Sequence, residues 1–474
     1  MAELVVKEIC FSVLISLSLP FTLFAENKKV DPRLKFHSEA KPLHQQALTL
    51  DWPRFNGPSD NAISAESHLL LDWDGETPRL LWEVMKGEGY SSPAISGGIL
   101  VMFHRLHGQE IIEGRDSETG KSLWQHAYPV EYRDRYGYLN GPRASPVIAG
   151  DYVYAHGVTA WLTCLELKTG RVIWKRDLAT EFEIPQNFFG KGSNPLPLGE
   201  NLILNIGGSK QRSVVGLDLK TGGTNWVTED EWGASYSSPC KAVIHGREVC
   251  LVFAGGESRP STGGLLVIDP ENGRKLSRFA WRSKSYESVN AVPPIPLGKN
   301  RVYLSECYEK GSVIIQFDAE FKPTISWKDP NLNIHWMTPV VSQSYLFGIS
   351  GRHQRGGQVY CLDFNTGVVR WHEAITWSHV LNERKLSLQL FRGSLLKVGN
   401  EGDHFLGFSE LGSLVSMEVK PEGWRIISTA QLFFSPSAWT LPALSKGLLY
   451  VMQNEKDRGT GTDARLLCYD LRRK

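Results

Sequence analysis

The sequence predicts an all-β fold, an eight-bladed β-propeller whose blades are four-stranded antiparallel sheets. Three observations predict it. A unit of four short β-favouring runs recurs along the chain, turn residues separate the runs, and each end of the chain carries only part of a unit. Four strands per unit, repeated at a period near 50 residues, are typical of propellers.

The unit is clearest between residues 143 and 178. Ser-Pro opens its first run, a turn at Gly150 separates the first two runs, and Thr169-Gly170 precedes a last run that ends in Trp174. Runs of Val, Ile, Tyr and Trp bounded by Gly, Asp and Pro are typical of an antiparallel meander.

A short motif marks the repeats: an acidic residue, two spacers, Thr-Gly, three spacers and Trp. It occurs at Asp116–Trp124, Glu166–Trp174, Asp218–Trp226 and Asp363–Trp371, with looser copies at Asp269–Ser277 and Asp318–Trp327. The units open at Pro93, Pro146, Pro195, Pro239, Pro293, Pro339 and Pro442. The last gap is 103 residues against 44 to 54 elsewhere. It therefore leaves room for one degenerate unit around Leu388–Val419, which makes eight.

The ends of the chain predict how the ring closes. The last unit stops after residues 466–471, before its Trp strand, whereas residues 79–83 form a Trp strand with no unit before it. We therefore expect the N-terminal strand 79–83 to pair with residues 464–471 and complete the last blade. Closure removes the open sheet edges that otherwise pair with other chains.

Repeat-equivalent positions predict how the blades dock. We expect six tryptophans to wedge neighbouring blades together: Trp82, Trp124, Trp174, Trp226, Trp327 and Trp371. Cys164, Cys361 and Cys468 share a slot that other units fill with Gly114 and Gly216. We expect these small residues to make room for a neighbouring Trp.

The N-terminus divides into two expected segments before the single propeller domain at residues 51–474. Residues 1–25 are interpreted as a signal peptide, because about 17 apolar residues interrupted by Pro20 suit a signal core better than a membrane span. An uncleaved anchor is the open alternative. Residues 26–50 are polar and aperiodic, and are expected to be a flexible lead. The aromatic residues of the stretch 51–58 are expected to fasten that lead to the propeller.

Charge and cysteine content exclude several classes of function. Lys and Arg number 52 against 51 Asp and Glu, so the chain lacks the basic excess of nucleic-acid-binding proteins. No CxxC, zinc spacing, GxSxG or HExxH occurs. The loops 401–404 and 454–463 lack a full calcium ligand set, so no metal site is expected. Whether Cys240 and Cys250 form a disulfide across a hairpin stays open.

The repeat resembles that of the PQQ-type β-propellers, named after the quinoprotein alcohol dehydrogenases. The stretches that carry the resemblance are ETGKSLW, KTGRVIW, KTGGTNW and NTGVVRW. Residues 52–58 and 140–146 look like exported PQQ-like repeat proteins of unassigned activity. The resemblance covers nearly all of residues 51–471, and it concerns blade docking, so it implies the fold more than the function.

The family implies two different functions. Quinoprotein dehydrogenases hold PQQ and Ca²⁺ in the central funnel, with a catalytic Asp and a pair of adjacent cysteines, and this chain has no Cys-Cys dipeptide. The outer-membrane assembly lipoprotein of the same architecture is a non-catalytic scaffold, and here Cys10 precedes the apolar run instead of following it. The chain departs from both patterns.

Residues just before the opening prolines are expected to line the central funnel, since the innermost strand of each blade borders the channel. The candidates for ligand binding are Tyr90, Asn140, Arg143, Lys191, Asn194, Tyr236, Asn290, His335, Trp336 and Trp439. Rings beside Arg, Lys and amide groups suit a planar or anionic ligand. Arg143 either clamps a carboxylate or bonds blade carbonyls, and His335 is either an acid/base group or a packed residue.

Two hypotheses of function follow. The first is a non-catalytic, exported, monomeric propeller without a cofactor, periplasmic or extracellular. It would bind a protein, a cell-envelope component or a carbohydrate, and no nucleic acid, and it would have no membrane span once the signal is removed. The second is a PQQ-dependent oxidoreductase of alcohols or sugars with calcium in the funnel. The first is preferred because the blade motifs are intact while an acidic ligand set is missing.

Overall fold

The computed structural model describes residues 31–73, 76–286, 288–352, 357–381, 383–399 and 402–473. Contacts divide the chain into two units, Met1–Pro32 and Arg33–Lys474. The predicted signal peptide lies outside the described residues. The second unit is all-β apart from one short helix.

The strands follow one another in chain order, and most form four-stranded antiparallel sheets. Three strands precede the first blade: β1 (Leu34–Phe36), β2 (Ile63–Ser64) and β3 (Arg79–Met85). Blade 1 contains β4 (Ala94–Ser96), β5 (Ile99–Leu106), β6 (Gln109–Asp116) and β7 (Ser122–Pro129). Blade 2 contains β8 (Val147–Ala149), β9 (Tyr152–His156), β10 (Trp161–Glu166) and β11 (Val172–Asp177), followed by the helix α1 (Leu178–Phe182). Blade 3 contains β12 (Leu196–Leu198), β13 (Asn201–Asn205), β14 (Arg212–Asp218) and β15 (Thr224–Glu229). Blade 4 contains β16 (Cys240–Ile244), β17 (Arg247–Ala254), β18 (Gly264–Ile268) and β19 (Lys275–Ala280).

The second half of the ring repeats the pattern with additions. Blade 5 contains β20 (Ile295–Gly298), β21 (Arg301–Glu306), β22 (Gly311–Phe317) and β23 (Pro323–Asp329). Blade 6 contains β24 (Val340–Ser342), β25 (Tyr345–Ser350), β26 (Gln358–Asp363) and β27 (Val368–Glu373). A separate hairpin follows, β28 (Thr376–Leu381) and β29 (Arg384–Gln389). Blade 7 contains β30 (Ser394–Val398), β31 (His404–Phe408), β32 (Ser413–Lys420) and β33 (Gly423–Gln431), with β2 parallel to β30. Blade 8 contains β34 (Ala443–Ser445), β35 (Leu448–Gln453) and β36 (Arg465–Asp470), followed outward by β3 and β1.

The eight-bladed fold and the predicted closure are confirmed. Strand β3 pairs antiparallel with β36, with Arg79 opposite Asp470 and Trp82 opposite Cys468. The innermost strand of blade 8, β34, contacts the innermost strand of blade 1, β4. The N-terminal strand therefore completes the last blade, and the last blade meets the first.

Neighbouring blades are joined by the same contact at six interfaces. Each indole Nε1 donates a hydrogen bond to a backbone carbonyl of the next blade: Trp82 to Ser117, Trp124 to Leu167, Trp174 to Leu219, Trp226 to Pro270, Trp327 to Gly367 and Trp371 to Lys420. Between blades 4 and 5 the wedge Trp is missing, and His245 bonds Phe317 O at 3.0 Å instead.

The Thr-Gly motif is explained by the turn on which each Trp rests. The Asp116 carboxylate accepts hydrogen bonds from the Thr119 amide and hydroxyl at 2.8 and 2.7 Å. Gly120 then adopts φ +70°, and a Cβ there would lie 2.7 Å from the Trp82 ring. Gly supplies both the left-handed backbone and the space for the ring.

The small-residue slot lies directly across the sheet from the wedge Trp. Cys164, Cys361 and Cys468 are paired with Trp174, Trp371 and Trp82, as Gly114 is with Trp124. A Cβ on Gly114 would lie 2.2 Å from that ring. A small residue at this position therefore leaves space for the indole that packs across the strand.

Replacing Gly170 by alanine is expected to destabilise the propeller, because φ is +69° and a Cβ would lie 2.5 Å from Trp124. Overpacking of this kind costs about 1–3 kcal/mol. Gly150 in the same blade is the control, since its φ is +59° and nothing lies within 4 Å of a Cβ there. Denaturant unfolding should show a larger loss for Gly170→Ala than for Gly150→Ala. Equal losses in the free energy of unfolding of the two variants would mean that the positive φ, and not the contact with Trp124, causes the destabilisation.

Two expectations need correction. Part of the lead expected to be flexible, Leu34–Phe36, forms a strand on the outer edge of blade 8, where it pairs with residues 82–84. The degenerate seventh unit lies at 394–431, later than expected, because the hairpin 376–389 is inserted before it. The structure also answers the question left open for Cys240 and Cys250. Both are free thiols, because they are paired with Leu251 and Lys241 and their side chains therefore lie on opposite faces of blade 4. Separately, none of the described helices is long and apolar enough to cross a membrane.

Candidate functional site

A cavity of about 390 Å³ opens among the loops that lead into the innermost strands, and we call it the funnel. Its wall includes seven of the ten predicted residues: Tyr90, Arg143, Asn194, Tyr236, His335, Trp336 and Trp439. They come from different blades and converge because each precedes an innermost strand by a few residues. The volume is within the range of small-molecule sites.

The other three candidates hold loops in place, so their assignment to the funnel wall is wrong. The Asn140 side chain accepts a bond from the Asp134 amide at 2.9 Å. Lys191 Nζ donates to Asn187 Oδ1 at 2.8 Å, and burial lowers the pKa of this lysine to about 8. Asn290 donates to the carbonyl of Ala254 at 3.1 Å. Lys191 and Asn290 are buried and Asn140 is half-buried, and the bonds of all three side chains satisfy loop carbonyls and amides.

Sequence reasoning missed the residues that complete the wall: Phe55, Asn56, Tyr138, Phe189, Tyr308, Arg352 and Arg392. Arg392 occupies the position before the innermost strand of blade 7, but that blade has no opening proline to reveal it. Arg352 lies in the loop after the second strand of blade 6. The sequence-based expectation covered only the residues that precede the opening prolines, so it did not include this loop. Tyr138 and Phe189 lie in the long loops after blades 1 and 2.

Aromatic rings form a continuous surface across the funnel. Tyr90 stacks on Trp439 with ring centres 5.3 Å apart, and Trp336 lies 5.0 Å from Trp439 at 50°. The edge of Tyr138 meets Trp439 at 5.7 Å, and its side chain is 39% exposed at the rim. His335 lies 4.1 Å from Trp336. Because the rings are only partly buried, they present apolar surface to the cavity.

Arg143 is already engaged by the protein. Its guanidinium donates to the carbonyl of Gly141 at 2.7 Å and to the carbonyl of Leu139 at 2.9 Å. It also pairs with the buried Asp134 carboxylate at 2.7 Å. Of the two roles that the sequence left open, the structure shows the bond to carbonyls. The strongest predicted ligand contact therefore has little free hydrogen-bonding capacity.

Arg392 is held between two indoles. Its guanidinium carbon is 4.7 Å from the ring centres of both Trp336 and Trp439, a cation–π geometry. Arg392 also pairs with Glu410 at 3.2 Å, and Glu410 accepts the Trp439 indole N–H at 2.7 Å. These contacts fix the orientation of the guanidinium at the cavity.

Arg352 is the arginine with the most available charge. It lies 4.2 Å above the Tyr308 ring, and it forms no ion pair or hydrogen bond with any residue the structure describes. Burial raises the pKa of Tyr308 to about 12, although Arg352 acts in the opposite direction. The phenol stays neutral, with its hydroxyl 3.2 Å from His335 Nε2.

Carboxylates are absent from the described part of the funnel wall. Glu257 lies behind it and accepts bonds from the Phe188 amide at 2.6 Å and the Tyr236 hydroxyl at 2.9 Å. Burial raises the pKa of Glu257 and of Glu410. Across the described residues, no group of three or more His, Cys, Asp or Glu side chains is arranged to hold a metal ion.

The N-terminal segment forms the floor of the funnel. Trp52 forms a backbone bridge with Ile95 in blade 1, and the Asn56 side chain accepts a bond from Thr338, just before blade 6, at 3.0 Å. Phe55 and Asn56 line both the funnel and a second cavity of about 590 Å³. The segment therefore borders both cavities, as Asn194, Ser238 and Pro293 also do. The full burial of Trp52 agrees with the expectation that its aromatic residues fasten the segment to the propeller.

Comparisons with known proteins agree with this architecture. The family profile described as outer membrane protein assembly factor BamB matches residues 108–373. No curated protein sequence is a significant match. Similar solved structures include a europium-containing methanol dehydrogenase, with a TM-score of 0.61, 10% identity and coverage of 89% of this chain and 98% of that chain. BamB from Moraxella catarrhalis has a TM-score of 0.54, 15% identity and coverage of 84% and 99%. Quinohemoprotein alcohol dehydrogenase from Comamonas testosteroni has a TM-score of 0.59, 11% identity and coverage of 90% and 81%. At such identities the likeness concerns the fold.

Proposed function

This chain belongs to the PQQ-like repeat family of the outer membrane protein assembly factor BamB, and from that premise we propose that it is a non-catalytic, exported binding propeller. Its ligand or partner enters the funnel from the loop face. Export is supported by the apolar stretch before residue 25 and by the family's name, which refers to the outer membrane. A monomer is the form we propose, because the closed ring needs no second chain to complete a blade.

One observation carries the binding function. The funnel brings rings and arginines from separate blades to one cavity, while the described part of its wall has no carboxylate. An acid/base or redox site ordinarily needs titratable groups next to the reacting atoms. The imidazole in the wall, His335, packs against Trp336, and its Nε2 lies 3.2 Å from the Tyr308 hydroxyl. The nearby acids Asp134, Glu257 and Glu410 are each bonded to wall or loop groups. The arrangement suits holding a ligand.

The second candidate, a PQQ-dependent oxidoreductase, is favoured by the fold of two of the similar structures. The arginines and rings would suit a planar, anionic quinone. Calcium does not fit the described wall, because Ca²⁺ needs six to eight oxygen ligands with carboxylates among them. We therefore propose no cofactor and derive no reaction through one.

The test combines a binding assay with a turnover assay. The purified protein is titrated with soluble oligosaccharides and acidic peptides, followed by tryptophan fluorescence, and is assayed with PQQ, Ca²⁺, alcohols and an electron-accepting dye. We expect one-to-one binding from at least one ligand class and no turnover. Trp439→Ala should weaken that binding at least tenfold, and Tyr138→Ala at the rim provides a second, less disruptive variant.

The control is Trp424→Ala, which removes an indole from the outer strand of blade 7. It should bind like the wild type. Micromolar or tighter binding of PQQ together with dye reduction would establish the dehydrogenase instead. Absence of binding across all the ligand classes would contradict a binding role for the funnel.

A further inference from the structure

We propose that the funnel binds an acidic carbohydrate, a sugar ring that carries a carboxylate or a sulfate group. The inference rests on the proposed binding function and adds the chemical class of the ligand. Three properties of the funnel lead to it: the charge of its wall, the combination of rings with neutral polar groups, and its limited volume.

The charge of the described wall is positive. Arg143, Arg352 and Arg392 are the charged residues that line the cavity, and no Asp or Glu accompanies them there. Arg143 is neutralised by Asp134 and Arg392 is paired with Glu410. Arg352 has no such partner among the described residues, so its charge is available to an anion. A guanidinium fork bonds a carboxylate or sulfate through two parallel N–H donors.

The orientation of the second arginine strengthens this anion site. Arg392 is held between Trp336 and Trp439, so little side-chain freedom is lost when it bonds a ligand. A preorganised group binds more tightly than a mobile one for the same contacts. The anionic group is therefore expected to lie on the side of the funnel formed by blades 6 and 7.

The rest of the wall suits a sugar ring. Tyr138 at the rim and the exposed parts of Trp439 and Tyr90 offer apolar surface against which the C–H face of a pyranose packs. Asn56, Asn194 and Ser238 also line the cavity. Their oxygens already accept bonds within the protein, and their amide N–H groups and hydroxyl can donate to ligand oxygens. A ligand rich in hydroxyl groups matches this mixture, whereas a purely apolar anion would leave the amides unused.

The size of the cavity favours a sugar over an extended polypeptide. Phe55 and Asn56 border the funnel on the side of the second cavity, which they also line. A cavity of about 390 Å³ admits a compact group or the end of a chain. An extended acidic peptide needs an open groove instead, and it is treated as an outcome of the test.

The experiment compares matched probes on the purified full chain. Calorimetric titrations use galacturonate trisaccharide, its carboxyl-reduced neutral counterpart, a sulfated galactan oligosaccharide and hexaglutamate. We expect at least one acidic sugar to bind at least tenfold more tightly than the neutral counterpart, with affinity that falls as salt rises. The uronate and the sulfated sugar distinguish the two sources of negative charge.

Variants connect the binding to named residues. Arg352→Ala should reduce the preference for the acidic sugar by at least fivefold and leave the affinity for the neutral sugar unchanged. Arg370→Ala, an exposed arginine on the outer strand of the same blade, should have no effect. Circular dichroism and a thermal melt establish that each variant is folded.

The outcomes separate the inference from the proposed function. Equal affinity for acidic and neutral sugars, or binding of hexaglutamate alone, would overturn the acidic-carbohydrate inference while leaving a binding funnel. Binding that Arg352→Ala and Trp439→Ala leave intact would place the sugar elsewhere and overturn the inference. Absence of binding by every probe, PQQ included, would contradict the proposed function as well.

Discussion

Trp82→Ala is expected to lower the free energy of unfolding by about 3–5 kcal/mol, the usual loss when a buried Trp is replaced by alanine. Trp82 is fully buried on the strand that closes the ring. Its indole N–H donates to Ser117 O at 3.3 Å, and its ring covers Gly120 of blade 1 and tilts against Tyr450 at 6.1 Å. The substitution leaves a cavity at the one interface where the two ends of the chain meet.

The measurement is denaturant unfolding followed by circular dichroism, with Trp424→Ala as the control. Trp424 is partly exposed on the outer strand of blade 7 and bonds Glu373 at 3.2 Å. Trp424 packs against the core but is only partly buried, so we expect this control to lose less stability than Trp82→Ala, whose ring is fully buried. Equal losses in the two variants would mean that closure of the last blade does not depend on the wedge.

Glu113→Gln is expected to destabilise the protein by a similar amount. The Glu113 carboxylate is fully buried and accepts bonds from Arg33 at 2.8 and 3.1 Å, from Arg115 at 2.8 Å and from His104 Nε2 at 2.9 Å. The Gly87 amide donates to His104 Nδ1, so the proton of that imidazole lies on Nε2. Removing one charge of such a buried network costs about 3–5 kcal/mol, because the fully buried Arg115 loses its bond to the Glu113 carboxylate.

The effect of Glu113 should depend on pH in a defined direction. Burial alone would raise the pKa of Glu113, but His104, Arg115 and Arg33 together hold it well below its usual value. A depressed folded-state pKa stabilises the protein above the unfolded pKa, about 4.3. That stability is lost as the pH falls toward the folded pKa. Melts of wild type and Glu113→Gln should therefore differ most near neutral pH and approach each other in acid.

The control for this network is Glu231→Gln. Glu231 pairs with Arg278 at the surface, with 67% of its side chain exposed. Exposed pairs contribute less than about 1 kcal/mol, so this variant should melt close to the wild type at every pH. A gap between wild type and Glu113→Gln that widens in acid would contradict the assigned ionisation of Glu113.

The fold was predictable because most blades repeat the same short sequence motif. Acidic residue, Thr, Gly and Trp recur at fixed spacing, and the structure assigns each a contact: Asp116 bonds Thr119, and Gly120 supports Trp82. Such contacts join residues of one turn or of adjacent blades, so one copy predicts the others. Blade 7 has lost the motif, which is why its strands lie later than expected and the hairpin before it was not foreseen.

The funnel was predictable only in part, because its residues converge through the ring and not through local spacing. The expectation that residues just before the opening prolines line the funnel identified Trp336 and Trp439. It missed Arg392, because blade 7 has no opening proline. It could not distinguish Arg143, which Asp134 binds, from Arg352, which keeps a free charge. A side chain's partners depend on loop conformation, and the loops are the part of the unit that does not repeat.

The floor of the funnel could not be predicted from the sequence for a different physical reason. Asn56 bonds Thr338 across 282 positions of sequence, and no periodic pattern connects two such residues. Cys240 and Cys250 illustrate the reverse case, in which residues close in sequence do not meet. The two strands pair with a register offset of one residue between these cysteines, so their thiols lie on opposite faces of the sheet.

The most direct test of the central claim, that the funnel is a binding site, is a crystal structure of the protein grown with galacturonate trisaccharide. We expect a sugar ring against Trp439 and near Phe55, with its carboxylate within hydrogen-bonding distance of Arg352 or Arg392. Sugar density on the outer blade surface, with an empty funnel at saturating ligand, would contradict it.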